Sequence, residues 1–195
     1  MAIEAPPRIA RRASGAKSRI LDTADALFYS EGIRSVGIDR LIAESGVTKA
    51  TFYKHYGSKE RLVLSYIEQR SAVMREYCQR IADEHASPAD ALRSLFAWAG
   101  SVIVEQEFRG SPFVNAAAEF HEPGHPVRLL VAAHRDWFSE FLQNRLQECG
   151  HPLSGDGADE LLLAWDGAMS GGYAGDSIAA AAALQRALER VLAER

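Results

Sequence analysis

An all-α fold of about nine helices is what this sequence predicts, and three observations carry the prediction. Among its 195 residues Ala and Leu number 50, whereas Val, Ile and Thr together number 23, a balance that favours helices over strands. Apolar residues recur at helical spacing along most of the chain. Between those stretches stand Gly, Pro, Ser and Asp at places that start and stop helices. A hydrophobic content of 47% with 25% charged residues is that of a globular chain and argues against disorder. The longest unbroken apolar run, Ile178 to Leu184, falls far short of the ~20 residues that span a bilayer. With no apolar stretch after the basic start to act as a secretory signal, a cytoplasmic protein with no membrane partner is expected. Cys78 and Cys149 make no disulfide framework and are expected to be buried, inert thiols.

The elements follow in order. Residues 1–16, rich in Pro, Ala and Arg without an apolar period, read as a flexible basic arm. Ser18 opens a first helix whose stripe is Ile20, Leu21, Ala24, Leu27 and Phe28, and Gly32 ends it. A short second helix runs from about Gly37 to Ser45 and stops at Gly46. A third follows from Thr48 to about Tyr56, broken at Gly57-Ser58. Val63, Ile67, Met74, Cys78 and Ile81 keep helical spacing along a long fourth segment. Ser87-Pro88-Ala89-Asp90 offers an N-cap, a first-position proline and an acid. Beyond His125-Pro126 a long helix from Val127 to Cys149 carries Leu130, Trp137, Phe138, Phe141, Leu142 and Leu146. Asp156-Gly157-Ala158-Asp159 is expected to cap the next helix, with Leu162, Trp165 and Met169. Asp176-Ser177 caps the last, with Leu184, Leu188, Val191 and Leu192.

Charge is uneven. Residues 1–61 hold 11 Lys/Arg against 7 Asp/Glu, an excess of +4, while residues 62–195 hold 11 Arg, no Lys and 19 Asp/Glu, a balance of −8. A basic N-terminal unit on an acidic remainder suits a polyanion partner at one end, or else is a solvated surface clustered by chance. The second and third helices decide between these. Two short helices joined at Gly46 by a tight turn are the parts of a helix-turn-helix. On the third helix Phe52 and Tyr56 share one face, suited to packing, while Ala50, Tyr53 and Lys54 share another, free to meet a partner. Lys49 stands in the first turn, where other helices carry an acid, and with the free backbone N–H groups there it makes an anion site. Lys59 adds a cation at the start of the fourth helix.

From Leu41-Ile42-Ala43-Glu44-Ser45-Gly46-Val47-Thr48-Lys49-Ala50-Thr51-Phe52-Tyr53-Lys54-His55-Tyr56, followed by Ser58-Lys59-Glu60-Arg61-Leu62, the chain resembles the TetR family of bacterial transcriptional regulators, with the family's "IA…GVSKGTLYxHFxSKxxL" signature. Gly37 stands where that pattern commonly has a capping Thr, and Ala50 where it commonly has Gly. The resemblance, good over residues 18–62, implies that Thr48, Lys49, Ala50 and Thr51 meet base edges or the nearest phosphates in the major groove. It further implies that Tyr53, His55 and Lys59 hold the sugar-phosphate backbone and that Lys54 reaches a base or a phosphate.

Three segments are then expected: a basic arm over 1–16, a DNA-binding helix-turn-helix over 17–62, and a helical regulatory, ligand-binding and dimerisation domain over 63–195. Trp98, Phe113, Phe120, Trp137, Phe141 and Trp165 are candidate pocket walls. Ala164, Gly167, Ala168 and Gly171, with Leu184, Leu188 and Val191 as an apolar seam, are candidates for the dimer face. The implied function is a homodimeric repressor on a near-palindromic double-stranded DNA operator, released by a small-molecule effector, without cofactor, metal or catalytic residue. An activator, an effector-independent regulator, a dimeric scaffold, or a helical-bundle enzyme using His121, Glu122 or His134 are the alternatives. His121-Glu122-Pro123-Gly124-His125 spells the H-E-x-x-H zinc signature, but Pro123 and Gly124 oppose the unbroken helix which that chemistry needs, so a loop is expected.

Overall fold

In the computed structural model, which describes residues 15–194, all regular structure is helical. The helices are α1 (Ala16–Glu31), α2 (Ile38–Ser45), α3 (Lys49–Tyr56), α4 (Lys59–Glu84), α5 (Pro88–Ile103), α6 (Pro112–Glu119), α7 (Pro126–Glu148), α8 (Ser154–Ala174) and α9 (Ser177–Ala193). The expected arm lies almost wholly outside the described residues. No described helix is long and apolar enough to cross a membrane.

Local chemistry accounts for most boundaries. Ser87 Oγ accepts the Asp90 N–H at 3.4 Å above the first-turn Pro88, and Asp176 Oδ1 accepts the Ala179 N–H at 2.9 Å. Two starts differ from expectation. α1 begins at Ala16 behind Gly15, with no side-chain cap, rather than at Ser18. α8 begins at Ser154, so Asp156 is no cap; it sits in the first turn, where its charge still opposes the positive helix end. α6 is not marked in the sequence, because Ala116 is its one buried residue and it shows no apolar stripe.

The described residues form two compact units. One comprises residues 15–73 and 112–132: α1, α2, α3, the first part of α4, α6 and the start of α7. Its core is Ile20, Leu27, Phe28, Leu41, Phe52, Leu62, Tyr66 and Ile67, joined by Ala116 and Val127. The expected boundary after residue 62 therefore does not coincide with the packing, since residues 63–73 and 112–132 bury their apolar faces with the helix-turn-helix.

The other unit comprises residues 74–111 and 133–194, with a core of Leu92, Leu95, Phe96, Ile103, Leu142, Leu146, Leu161, Leu184 and Leu188. α9 packs on both α5 and α8. Small residues allow that approach: a Cβ on Gly172 would stand 3.5 Å from Ala180 Cβ and one on Gly100 3.6 Å from Ala181 Cβ, while between α8 and α5 the Gly172 Cβ would stand 2.4 Å from Ile103 Cγ2. Cys78 is buried, which pushes its thiol up to about 12, whereas Cys149 is exposed beyond the end of α7, contrary to expectation.

Candidate nucleic-acid interface

The turn between α2 and α3 is built by backbone hydrogen bonds. Gly46 adopts the left-handed conformation (φ 61, ψ 38), its N–H bonds to Ala43 O, and the Val47 N–H bonds to Ile42 O, both at 3.3 Å. This paired 5→2 and 6→1 pattern reverses the chain within two residues and needs a residue that tolerates positive φ. Thr48 then caps α3, accepting the Thr51 N–H at 3.2 Å while its hydroxyl meets that of Thr51 at 2.8 Å. Capping thus engages both hydroxyls, each keeping hydrogen-bonding capacity for a partner.

α3 divides as its spacing predicts. Phe52 is fully buried and Tyr56 nearly so, and the Tyr56 hydroxyl donates to Lys17 O at 2.9 Å, pinning α3 to α1. Burial pushes that phenol up to about 12. Thr48, Lys49, Ala50, Lys54 and His55 are exposed and Thr51 is half-buried, while Tyr53 is 42% exposed with its ring edge against Phe52 at 5.5 Å. α3 contains no acidic residue. Its open face therefore offers cations and a phenol with no carboxylate of its own to repel an anion.

Beside α3 lies a notch of about 240 Å³ lined by Lys17, Tyr53, Lys54, His55, Tyr56, Gly57, Arg61 and Ser65. Lys17 and Arg61 are functional candidates that the sequence reading left unassigned. Nothing local marks them; only the basic excess of residues 1–61 does, and the fold brings the first turns of α1 and α4 together with α3. Lys59 stands differently from expectation: it is half-buried, its ammonium 6.0 Å from the centre of the Phe28 ring. Burial holds that ammonium below the ordinary lysine value, opposed by the nearby charges of Glu119 and Glu60.

Ion pairs brace the head. Arg40 of α2 binds Glu31 of α1 through both Nη atoms and Glu44 through Nε at 2.7 Å. Arg70 of α4 takes Asp25 of α1 in a two-point contact, 2.5 and 2.9 Å, with its guanidinium over the Tyr29 ring at 4.9 Å.

The expected ligand-pocket residues do not gather in one place. Trp98, Trp137, Phe141 and Trp165 belong to one unit, with Tyr77–Trp98 at 4.5 Å and Phe138–Trp165 at 4.9 Å linking them into an aromatic cluster. Phe113 and Phe120 pack instead against the core of the other unit. Trp98 Nε1 is buried without an acceptor. His134 is also buried, which with the Arg75 charge pushes its imidazole down to about 4. A groove of about 310 Å³ nearby is lined by Trp137 and Phe141 with Gln79, Glu140, Asn144 and Arg145.

Of the dimer candidates, Leu184, Leu188 and Val191 are 1%, 0% and 2% exposed in the single chain, so they pack inside their own subunit and a partner does not reach them. Ala168 is likewise buried, and Ala164 half-buried. Gly167 and Gly171 are open, with no atom within 4 Å of an added Cβ. They share a face of α8 with Leu163, 66% exposed. The His121–His125 letters lie in the loop between α6 and α7, where the two histidines share no helix.

Comparison with known proteins bears on the same residues. The family described as "Bacterial regulatory proteins, tetR family" matches residues 20–66, which hold α2, α3 and the turn. The crystal structure of SCO4454, a TetR-family transcriptional regulator from Streptomyces coelicolor, superposes with a TM-score of 0.87 at 35% identity, covering 91% of this chain and 94% of that one. The HTH-type transcriptional regulator LmrA of Bacillus subtilis is 28% identical over 141 residues, 69% of this chain and 72% of that protein. The HTH-type transcriptional repressor KstR2 of Mycobacterium tuberculosis is 25% identical over 89 residues, 46% of this chain and 44% of that protein.

Proposed function

The chain belongs to the TetR family of transcriptional regulators, and from this we propose that it is a homodimeric repressor whose two heads bind a near-palindromic operator and release it when a small molecule enters the helical bundle. The family regulates transcription and is not one of enzymes, and the helix-turn-helix is its DNA-binding domain. One observation carries the DNA reading: α3 exposes Lys49, Tyr53 and Lys54 beside a notch walled by Lys17, His55 and Arg61. A helix of that shape fits the major groove, Lys49 and Ala50 nearest the base edges, and the notch fits a phosphate.

In this reading residues 17–62 read DNA and residues 63–195 supply regulation and dimerisation. Repression is supported by likeness to KstR2, which is named a repressor. Dimerisation is supported by the open face of α8, where Leu163, Gly167 and Gly171 stand at i, i+4 and i+8, and by Ile178 at the start of α9, 75% exposed. Effector binding is supported by the aromatic cluster and the buried Trp98 N–H, which a ligand's acceptor would satisfy. An effector that binds better to the state in which the heads are mis-spaced would release DNA by linkage.

The test is an operator selected from random duplexes. Lys49→Ala and Tyr53→Ala should each weaken binding by at least ~1 kcal/mol, measured by fluorescence anisotropy. Full affinity in both variants would remove α3 from the interface.

A further inference from the structure

Glu119, the last residue of α6, reaches back some eighty-five positions to the turn that follows α1. Its Oε1 accepts the Ile33 N–H at 2.8 Å and its Oε2 accepts the Arg34 N–H at 2.7 Å. Ile33 is 3% exposed, so its amide is shielded from water and a protein acceptor matters there. Gly32 takes φ +90, and a Cβ at that position would stand 3.4 Å from Glu119 Oε1, which puts the carboxylate directly over the turn.

The residues after Glu119 back up this grip. The Arg34 guanidinium lies 5.9 Å from the centre of the Phe120 ring, and Phe120 stacks on His125 at 4.4 Å with 24° between planes. Arg128 Nη1 donates to Phe120 O at 3.4 Å, and the Val127 N–H donates to His125 Nδ1 at 3.2 Å. His125, which the zinc-like spelling singled out, is thus a platform for the ring beside the grip.

The turn that Glu119 holds is the covalent entry to α2. α1 is already fixed to α4 by Asp25–Arg70 and to α3 by the Tyr56–Lys17 bond. α2 is also braced on α1 by Arg40–Glu31, and residues 32–37 set where the chain enters it. We propose that Glu119 is a positioning residue for DNA recognition: by gripping the amides of Ile33 and Arg34 it works with Arg40–Glu31 to hold α2 and α3 in the pitch that reads DNA. The inference rests on the DNA-binding reading above.

The experiment uses the full chain with Glu119→Ala, Glu119→Gln and, as control, Glu122→Ala in the exposed loop. Three quantities are measured: affinity for the wild-type-selected operator, the thermal midpoint, and the amide proton resonances of Ile33 and Arg34. Glu119→Ala should lose at least about tenfold in affinity, since two charge-assisted hydrogen bonds go at once. Both amide resonances should move upfield and exchange faster, and the midpoint should drop by a few degrees, while affinity read where the variant is still fully folded falls by more than that drop accounts for. Glu119→Gln keeps one acceptor and turns an NH₂ toward the other amide, so it should rescue affinity in part and restore one resonance. Glu122→Ala should match the wild type. Wild-type affinity in Glu119→Ala overturns the proposal, as do unmoved amide resonances. Affinity that falls only in step with the midpoint also overturns it, because Glu119 would then be a general stabiliser. Failure of the wild type to select any operator would instead overturn the DNA-binding reading itself, taking this inference with it.

Discussion

Replacing Arg61 by Ala should change how operator binding responds to salt more distinctly than how the protein folds. The guanidinium lies in the notch beside α3, 3.3 Å from where a Gly57 Cβ would be, and shares the space with Lys17, Lys54 and His55. If it neutralises one phosphate, each head loses one released counterion and a dimer loses two. Each contact contributes about 0.9 to the slope of log affinity against log salt, so Arg61→Ala should flatten that slope by ~1.8. Between 50 and 200 mM salt the affinity of the variant should therefore fall by about tenfold less than that of the wild type. The double variant Lys17→Ala/Arg61→Ala should flatten it by ~3.6, and a change of half these values would report one head per duplex. Base preference should not alter, because phosphate contacts set register without reading sequence. Arg93→Ala is the control: that guanidinium binds Glu189 at 2.8 and 3.0 Å in the other unit, and its loss should leave the slope alone. Anisotropy titrations in graded KCl measure all of this. An unchanged slope in the double variant, or an altered base preference, would refute the assignment of the notch to the phosphate backbone.

Gly172→Ala should destabilise the fold by about 1–3 kcal/mol, because the methyl would arrive 2.4 Å from Ile103 Cγ2 in a filled core; the urea midpoint reads it. His134 charges less readily folded than unfolded, its imidazole lying near about 4 against the ordinary 6.5. The unfolded chain therefore binds the extra proton, and stability should fall as pH drops from 6.5 towards 4, by at most about 3 kcal/mol. His134→Gln should remove that part of the decline in urea melts at pH 7 and pH 4.5, and parallel declines would contradict the burial argument. For the proposed dimer, Leu163→Glu should shift sedimentation from dimer to monomer without unfolding the chain, because the side chain is 66% exposed in the single subunit. Leu184→Ala should do the reverse, costing about 2–5 kcal/mol of folding stability while leaving assembly intact.

The head was legible because its signals are short-range. Gly46, the Thr48 cap, the buried pair Phe52 and Tyr56 and the open Lys49, Tyr53 and Lys54 all lie within eleven residues, and each follows from turn chemistry or helical period. The rest of the chain was legible in its helices but not in what their faces meet. Leu184, Leu188 and Val191 keep the spacing of an apolar seam, yet that pattern is the same for a stripe facing α5 and one facing a second subunit. Phe113 and Phe120 match the tryptophans in composition, yet they pack against a different core.

From its order of residues alone, then, this chain declares helices, caps, the tight reversal at Gly46 and the cationic open face of α3. These depend on neighbours within a few positions, where backbone geometry leaves few choices. Tertiary structure alone brings Lys17 and Arg61 to one notch, turns the last helix inward, and sets Glu119 over the amides of Ile33 and Arg34. Such meetings join residues far apart in the chain, and the energy that selects them belongs to the packed core as a whole rather than to any local pattern.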